Sequence, residues 1–339
     1  MPIPEILMQE IDRRIARLMP EGERSAPLYG MMKYHLGWLD ERLQPLKSNA
    51  GKRIRARLCL LSAEAIGASP EQALAPATAV ELVHNFSLIH DDIQDGSHFR
   101  RHRRTVWDIW GEAQAINAGD GMLVLAQLAL AEDPEAEPIK VVRGLRALNR
   151  ACQLLCEGQH LDMDYERRPI VSIEDYYQMI GRKTAALLET SCFLGALYAG
   201  AGEAALEAYS SFGRQLGLAF QIRDDYLGIW GDPSQTGKSA ATDVASKKKS
   251  LPILYAMIDA GEPDRCRLRE IMLSPEACAD GEIAEVLGIL DRCGAAAYTA
   301  SEVSRISSGA LEALAAGRPQ SGAGEQLSSL CRRMAVRTE

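Results

Sequence analysis

The chain has 339 residues, of which 47% are hydrophobic and 6% are aromatic. Alanine and leucine are strong helix formers and aromatic residues are enriched in strands, so this composition favours helices. The formal net charge of −8 argues against nucleic acid as the main partner, because phosphate backbones select basic surfaces. The longest uncharged segments, residues 121–131 and 190–202, are shorter than the ~20 residues that span a bilayer, so no stable membrane insertion is expected.

The N-terminus and the cysteine spacing favour a location in the reducing cytoplasm. Glu5, Glu10 and Asp12 come early and no apolar signal core is present, so we expect a cytoplasmic protein. The eight cysteines show no CxxC pair, and Cys152 and Cys156 have no histidine or further cysteine at a zinc-like spacing. Buried free thiols are therefore expected.

Helix-period patterns dominate the chain, and convincing alternating strands are absent. Helices are predicted over residues 6–18, 29–43, 52–66, 77–95, 113–131, 138–157, 173–199, 202–229 and 251–258. The segment after Ala316 is predicted to form a loop before a last short helix. Because the connectors are short, we expect one all-α domain over residues 1–339, an antiparallel helix bundle around a central apolar cavity.

Two aspartate clusters, at residues 91–95 and 224–228, each end an apolar helical stretch. Acidic pairs on helices are commonly solvated faces. Asp91 and Asp95 share a helical face, however, and His84 precedes them on that face within a largely apolar stretch. The acids are therefore expected to line the opening of a buried site. Paired carboxylates with nearby cations suit Mg²⁺ and a diphosphate, since substrate phosphates and water usually complete Mg²⁺ coordination.

Basic runs follow both acid clusters, at residues 100–104 and 247–249. A single basic run is usually a solvated loop. Its repetition after each cluster in an acidic protein favours a role in binding an anion.

Several motifs over about residues 47–257 resemble, in their order along the chain, those of the trans-isoprenyl diphosphate synthases, also called polyprenyl synthetases. The ordered set is Gly51-Lys52-Arg53-Ile54-Arg55, Glu81-Leu82-Val83-His84 with residues 91–95, Arg100-Arg101, Gly158-Gln159-x-x-Asp162, Lys183-Thr184-Ala185, Phe220-Gln221-x-x-Asp224-Asp225, Gly237-Lys238 and Lys248-x-Ser250-Leu251-Pro252. One motif alone would be weak, but this many in order is specific. The chain is most similar in type to the short-chain geranylgeranyl and farnesyl diphosphate synthases, which have an isoprenoid synthase-like fold.

The resemblance implies a role for several sets of residues. Mg²⁺, about three ions per site, would be held by Asp91, Asp95 and Asp224. Supporting carboxylates would be Asp92 and Asp225. Cations that contact the allylic diphosphate would be Arg100, Lys183, Lys238 and Lys248. A metal-free pocket for isopentenyl diphosphate would be formed by Lys52, Arg55, His84 and Arg101. The developing allylic cation would be steadied by Thr184 and Gln221.

The implied reaction is head-to-tail transfer of an allylic prenyl group to isopentenyl diphosphate, with release of pyrophosphate. The leaving group needs nearby positive charge, and the carbocation needs a dry apolar cavity. A terpene cyclase of similar fold needs no second diphosphate pocket, and head-to-head condensation would leave the basic acceptor pocket unexplained. A non-catalytic subunit of a heteromeric synthase would be expected to lose acids from the first cluster, which keeps all three. The family implies a homodimer.

Product length is expected to depend on the residues below Asp91. Val83, Phe86 and Ser87 are assigned to the cavity floor. An aromatic at 86 with a small residue at 87 resembles a C20 producer, although C15 stays plausible.

Departures from the family pattern occur at three places. Gly228 stands where a third aspartate is common. Ala50 and Ala56 replace a common glycine and proline, as do His102 and Arg104 after the arginine pair. The last two changes leave the geometry of that loop open, and Arg104 adds a charge without an evident purpose.

Overall fold

The computed structural model describes residues 5–19, 24–46, 51–231, 241–274 and 276–336. The helices of the first half are α1 (Glu5–Leu18), α2 (Ala26–His35), α3 (Ile54–Ala65), α4 (Leu74–Gln94), α5 (Val106–Trp110), α6 (Glu112–Ala131) and α7 (Pro138–Arg167). Those of the second half are α8 (Ile173–Ile180), α9 (Ala186–Tyr198), α10 (Glu203–Trp230), α11 (Thr242–Ala245), α12 (Leu251–Asp259), α13 (Glu262–Leu273), α14 (Asp280–Arg292), α15 (Ala295–Ala316) and α16 (Ser321–Val336). A 3₁₀ turn (Pro70–Ala73), a π-helical turn (Gly181–Ala185) and a hairpin of β1 (Phe99–Arg100) and β2 (Arg103–Arg104) complete the described elements.

The chain forms two compact units. The N-terminal unit comprises Met1–Cys152, Thr190–Leu206 and Pro319–Gln326. The C-terminal unit comprises Gln153–Glu189, Glu207–Arg318 and Leu327–Glu339. The assignment of residues 1–339 to a single domain stays a prediction.

In the N-terminal unit, α4 is the central helix. It packs against α1, α3 and α6. Val80, Leu82 and Ile89 are almost fully buried on different sides of it. A helix that is apolar nearly all round belongs in a core, and the polar residues at its C-terminal end are thereby held on a rigid support.

In the C-terminal unit, α12 packs against α8, α13, α14 and α15. Tyr176, Ile222, Leu251, Val286 and Leu290 belong to one buried cluster. This core supports α10, which carries the second acid cluster near its C-terminus.

Most predicted helices are confirmed within a few residues, but two boundaries are wrong. The helix predicted over residues 29–43 ends at His35, because Gly37 takes a φ of +83° and Leu39 then forms a bridge with Pro45. The helix predicted to end at residue 157 continues to Arg167. The sequence patterns also gave no prediction for α13, α14 and α15.

Two other expectations need correction. The helix predicted over residues 173–199 is interrupted by the π-helical turn, which carries Lys183 and Thr184. All eight cysteines carry thiols rather than disulfides. The expected burial is confirmed for Cys59, Cys152, Cys192 and Cys331, whereas Cys278 and Cys293 are partly buried and Cys156 and Cys266 are exposed. Among the described residues, no helix is long and apolar enough to cross a membrane.

Candidate active site

The first acid cluster lies at the C-terminal end of α4. Asp92 is 1% exposed, and its Oδ1 accepts a hydrogen bond from Arg100 Nε at 2.7 Å. Burial raises the pKa of Asp92 to about 6, against the lowering effect of Arg100. Asp91 is half-buried and Asp95 is exposed. One carboxylate is thus anchored to a cation while its neighbours stand nearer to solvent.

The β1–β2 hairpin presents the arginine pair. Arg101 and His102 form its two-residue turn, with φ values of +51° and +63°. Such a turn matches the twist of the strands but favours glycine or asparagine, so His102 occupies a position where glycine would be relaxed. Gly51, at a φ of +80°, lies under Arg101, and a Cβ atom there would be 3.0 Å from Arg101 Nη2.

Arg104, the extra charge after the arginine pair, connects the hairpin to Asp108 on α5. Its Nε pairs with Asp108 Oδ2 at 2.5 Å and its Nη2 donates to the Asp108 carbonyl at 2.8 Å. His98 Nδ1 lies 2.7 Å from the other carboxylate oxygen of Asp108. The extra arginine therefore ties the hairpin to α5. Ala56 is fully buried in α3, and Ala50 lies outside the described residues.

Positive charge gathers around His84 on α4. Burial lowers the pKa of His84 well below its ordinary value, and Arg55, Arg101, Arg100 and the His35 imidazole lower it further. The cations come from α3 and the hairpin, so the fold brings together three of the four residues predicted to bind isopentenyl diphosphate. The fourth, Lys52, is exposed just before α3.

His35 belongs to the same cluster, and the sequence patterns did not indicate it. Burial and the neighbouring Arg100, Arg101 and Arg103 lower its pKa to about 3, against the raising effect of a hydrogen bond to Asn85. His35 and His84 are therefore neutral near pH 7, because burial and the neighbouring arginines both disfavour the charged imidazole. Such a cluster favours the arrival of an anion.

A buried carboxylate balances part of this charge. Glu81 is 5% exposed, and its Oε1 accepts a hydrogen bond from Asn85 Nδ2 at 3.4 Å. Burial raises the pKa of Glu81, against the lowering effects of Arg53, Arg55 and Arg101.

The second acid cluster lies near the end of α10. Asp224 is exposed, whereas Asp225 is 1% exposed. Asp225 Oδ2 accepts a hydrogen bond from the Tyr176 hydroxyl at 2.6 Å, and Oδ1 accepts from Lys248 Nζ at 3.0 Å and Gln221 Nε2 at 3.1 Å. Tyr176 carried no sequence signal. Its contact with Asp225 depends on the packing of α8 against the rest of the unit.

The π-helical turn joins this network. Thr184 Oγ1 donates to Gln221 Oε1 at 2.7 Å, so Thr184, Gln221, Asp225 and Lys248 form one connected chain of hydrogen bonds. Lys183 takes a different partner.

Lys183 pairs with Asp162 on α7. The approach of α7 to this turn depends on Gly158, because a Cβ atom there would lie 2.2 Å from the Lys183 backbone nitrogen. The motif around Gly158 therefore sets the position of Lys183.

The basic run at residues 247–249 serves several purposes. Lys248 faces carboxylates, and Asp225, Asp243 and Asp162 raise its pKa although burial lowers it. Lys247 Nζ donates to the carbonyls of Ser274 and Glu276 at 2.7 Å and 2.5 Å.

Lys249 is 7% exposed and donates to the carbonyl of Tyr165 at 2.6 Å, at the end of α7. The extension of α7 beyond its predicted end therefore has a capping partner from a distant segment. Only Lys248 fits the expected anion-binding role. Lys238 lies outside the described residues.

The residues assigned to chain length are all buried in α4. Val83 is fully buried, Phe86 is 4% exposed and Ser87 is 7% exposed. The Phe86 ring packs edge-on against His90, with ring centres 5.6 Å apart.

The carboxylates have the chemistry that Mg²⁺ prefers. Asp95 and Asp224 are exposed oxygen donors, whereas the buried Asp92 and Asp225 are already engaged by cations. In the described parts of the chain, no three His, Cys, Asp or Glu side chains lie close enough to hold a metal ion by themselves.

A family model described as polyprenyl synthetase matches residues 37–290. The chain belongs to this family. It is a trans-prenyltransferase of the short-chain isoprenyl diphosphate synthase type, which confirms the predicted family and enzyme class.

Relatives of known name agree with this membership. A (2E,6E)-farnesyl diphosphate synthase of Mycobacterium tuberculosis is 42% identical over 81% of this chain and 76% of that one. A geranylgeranyl diphosphate synthase of the same organism is 39% identical over 79% and 76%.

Solved structures confirm the fold. A polyprenyl synthetase from Streptomyces coelicolor A3(2) superposes with a TM-score of 0.88, at 38% identity over 95% of each chain. A geranylgeranyl pyrophosphate synthetase from Pyrococcus horikoshii gives 0.87, at 35% identity over 97% of this chain and 96% of that one. The predicted all-α, isoprenoid synthase-like fold is confirmed for this prenyltransferase.

Proposed function

We propose that this prenyltransferase condenses isopentenyl diphosphate with an allylic diphosphate, head to tail, in a Mg²⁺-dependent reaction. The product is an all-trans short-chain prenyl diphosphate, and pyrophosphate is released. The observation that carries the proposal is the cluster of positive charge from Arg55, Arg100 and Arg101 around the buried His84. An enzyme that ionises only one diphosphate has no use for a second anion pocket, so this cluster favours elongation over cyclisation.

In this proposal, separate residues bind the two diphosphates. Isopentenyl diphosphate binds to Lys52, Arg55, His84 and Arg101. The allylic diphosphate binds to Arg100, Lys183, Lys238 and Lys248. The Mg²⁺ ligands are Asp91, Asp95 and Asp224. When bound, the metal supplies positive charge to the departing pyrophosphate.

The protein's own groups contribute orientation and a polar lining. The hydrogen-bonded pair of Thr184 and Gln221 presents oxygen atoms that suit a developing allylic cation. Asp92 and Asp225 anchor Arg100 and Lys248. The double bond of isopentenyl diphosphate then attacks the cation, and one proton leaves the new chain. No side-chain base is assigned to that proton, which the released pyrophosphate accepts.

We propose C20 as the main product, with C15 as the second candidate. The support is the bulk of Phe86 next to the small Ser87 on buried α4. Phe86→Ala should lengthen the product, and Ser87→Ala, which barely changes volume, is the matched control. An unchanged product in Phe86→Ala would remove Phe86 from the floor.

The reaction itself is tested by incubating purified protein with Mg²⁺, labelled isopentenyl diphosphate and a C5, C10 or C15 allylic diphosphate. The products are dephosphorylated and sized. Longer prenyl alcohols are expected, and the largest abundant one distinguishes C15 from C20. A hydrocarbon or cyclic alcohol formed from the allylic diphosphate alone would establish a cyclase instead. No product from any pair would contradict an autonomous synthase and favour a subunit that needs a partner.

The homodimer that the family implies and the cytoplasmic location stay predictions. Sedimentation velocity of the purified chain tests the first. A single species with the mass of one chain would contradict it.

A further inference from the structure

The second acid cluster ends in Gly228, where related enzymes often have a third aspartate. Gly228 lies one turn after Asp224 on α10 and therefore on the same face. Another carboxylate occupies the adjoining space. A Cβ atom on Gly228 would lie 2.5 Å from Cγ and Oδ1 of Asp243 and 2.6 Å from its Oδ2, closer than side chains approach. The missing side chain at 228 is therefore what admits the Asp243 carboxylate.

Local structure fixes Asp243 in this position. The single turn α11 is bounded by Ala241 and Lys247, which both take left-handed φ values, +56° and +54°. Lys247 N donates to Val244 O at 3.0 Å and Lys248 N donates to Asp243 O at 2.9 Å, which together form a Schellman ending. The backbone N–H of Lys248 is thus hydrogen-bonded to the backbone carbonyl of Asp243.

The same turn docks on the end of α10. Thr242 Oγ1 donates to the carbonyl of Gly228 at 3.4 Å. Asp243 is only 8% exposed, so this residue is buried where α11 packs against α10 and is not part of a solvated loop.

Two carboxylates face the Lys248 ammonium. Nζ lies 3.0 Å from Asp225 Oδ1 and 3.8 Å from Asp243 Oδ2. Asp225 also accepts hydrogen bonds from Tyr176, Gln221 and the backbone N–H of Leu251, which hold that carboxylate in place. Two carboxylate neighbours restrict the position of the ammonium group more than a single partner does.

We propose that Asp243 is a positioning residue that takes the place of a third aspartate on α10 and directs Lys248 toward the allylic diphosphate. The inference rests on the proposed function and deepens it. It identifies Asp243 as the residue on which the contact between Lys248 and the allylic diphosphate depends. It also explains Gly228, because only a residue without a side chain leaves room for the Asp243 carboxylate.

The test compares variants in which the carboxylate is at position 243, at position 228, or absent. Asp243→Asn keeps the shape and removes the charge, so KM for the allylic diphosphate should rise about tenfold. KM for isopentenyl diphosphate should stay within about twofold. Gly228→Asp should have the same effect, because it displaces Asp243. The double variant Gly228→Asp/Asp243→Ser supplies the carboxylate from α10 and should recover to within about threefold of wild type.

Asp264→Asn is the matched control. Asp264 belongs to the same unit and is paired with Arg292 at 2.8 Å on the surface. Both KM values should be unchanged in this variant.

Binding measurements keep the inference testable if turnover is absent. Calorimetric titration of each variant with inorganic pyrophosphate and Mg²⁺ should show weaker binding in Asp243→Asn and recovery in the double variant. A wild type that binds pyrophosphate but elongates nothing would refute the proposed function and leave this comparison intact.

Three results would overturn the inference. The first is an Asp243→Asn variant with unchanged KM values and unchanged pyrophosphate binding. The second is an equal rise in both KM values with a lower melting temperature, which indicates a purely structural role. The third is a double variant worse than either single variant.

Discussion

The two acid clusters share a plan and differ in how the buried member is held. Asp92 and Asp225 are each 1% exposed, and each follows a more exposed aspartate in sequence. Asp92 is held by Arg100. Asp225 is held by a lysine together with two neutral donors, Tyr176 and Gln221.

The difference shows where charge is balanced before substrate arrives. Around the first cluster, burial and the neighbouring arginines keep His35 and His84 neutral, and burial raises the pKa of Asp92. Around the second, each oxygen of Asp225 has a partner within its own unit. The first region therefore has excess positive charge that favours anion binding. In the second region, the hydrogen bonds of Asp225 hold Lys248 in a defined position.

The largest expected effect concerns the less buried aspartate of each pair. Asp91→Ala or Asp224→Ala should lower kcat by about a thousandfold, because each removes a charge from the proposed metal ligand set. The free energy of unfolding should change by no more than about 0.5 kcal/mol. Steady-state kinetics with urea unfolding measures both. Turnover like that of the wild type in either variant would refute the metal-ligand assignment.

A smaller effect compares the buried aspartates with each other. Asp225→Asn should cost about 3 kcal/mol of unfolding free energy, because it breaks a buried network that includes Lys248. Asp92→Asn should cost about 1 kcal/mol or less, because it also removes the burial cost of a charged carboxylate. Urea unfolding of both at pH 7 tests the ranking. Equal losses would mean that the two anchors do not differ as described.

The crowding of positive charge predicts a pH effect through His35. The unfolded residue titrates near pH 6.5 and the folded one near 3, so between these values the unfolded state binds more protons. Stability should therefore fall as pH is lowered from 7 to 5, by about 2 kcal/mol from this residue. His35→Gln should lose that part of the dependence. The same slope in wild type and His35→Gln would contradict the assignment.

The smallest effect concerns the hairpin that carries Arg100 and Arg101. His102→Gly should raise the free energy of unfolding by about 1 kcal/mol, because glycine adopts a left-handed φ without steric cost. His102→Ala is the control, since it shortens the side chain without that freedom. Thermal unfolding measures both. Stabilisation by alanine as large as that by glycine would point to the imidazole rather than to the backbone.

The sequence predicted much of the fold because helix periodicity is local. It failed where a distant partner decides the outcome. The end of α7 at Arg167 depends on Lys249, which is more than eighty residues away. The early end of α2 has a local cause instead, the left-handed Gly37 and the bridge from Leu39 to Pro45, which helix periodicity does not indicate.

The site was predicted in the same way. Arg55, His84 and Lys248 were assigned roles because they stand in motifs that resemble those of the family, and these roles stay predictions. His35 and Asp243 were not identified, since they reach their clusters from separate elements and neither lies in a motif that had been assigned a role.

The most direct test measures KM for both substrates in Arg101→Gln and Lys248→Met. If the two regions bind different diphosphates, Arg101→Gln should raise KM for isopentenyl diphosphate by about tenfold or more and change the allylic KM little. Lys248→Met should do the reverse. Equal changes in both KM values, in both variants, would contradict the division of the site into two diphosphate-binding regions.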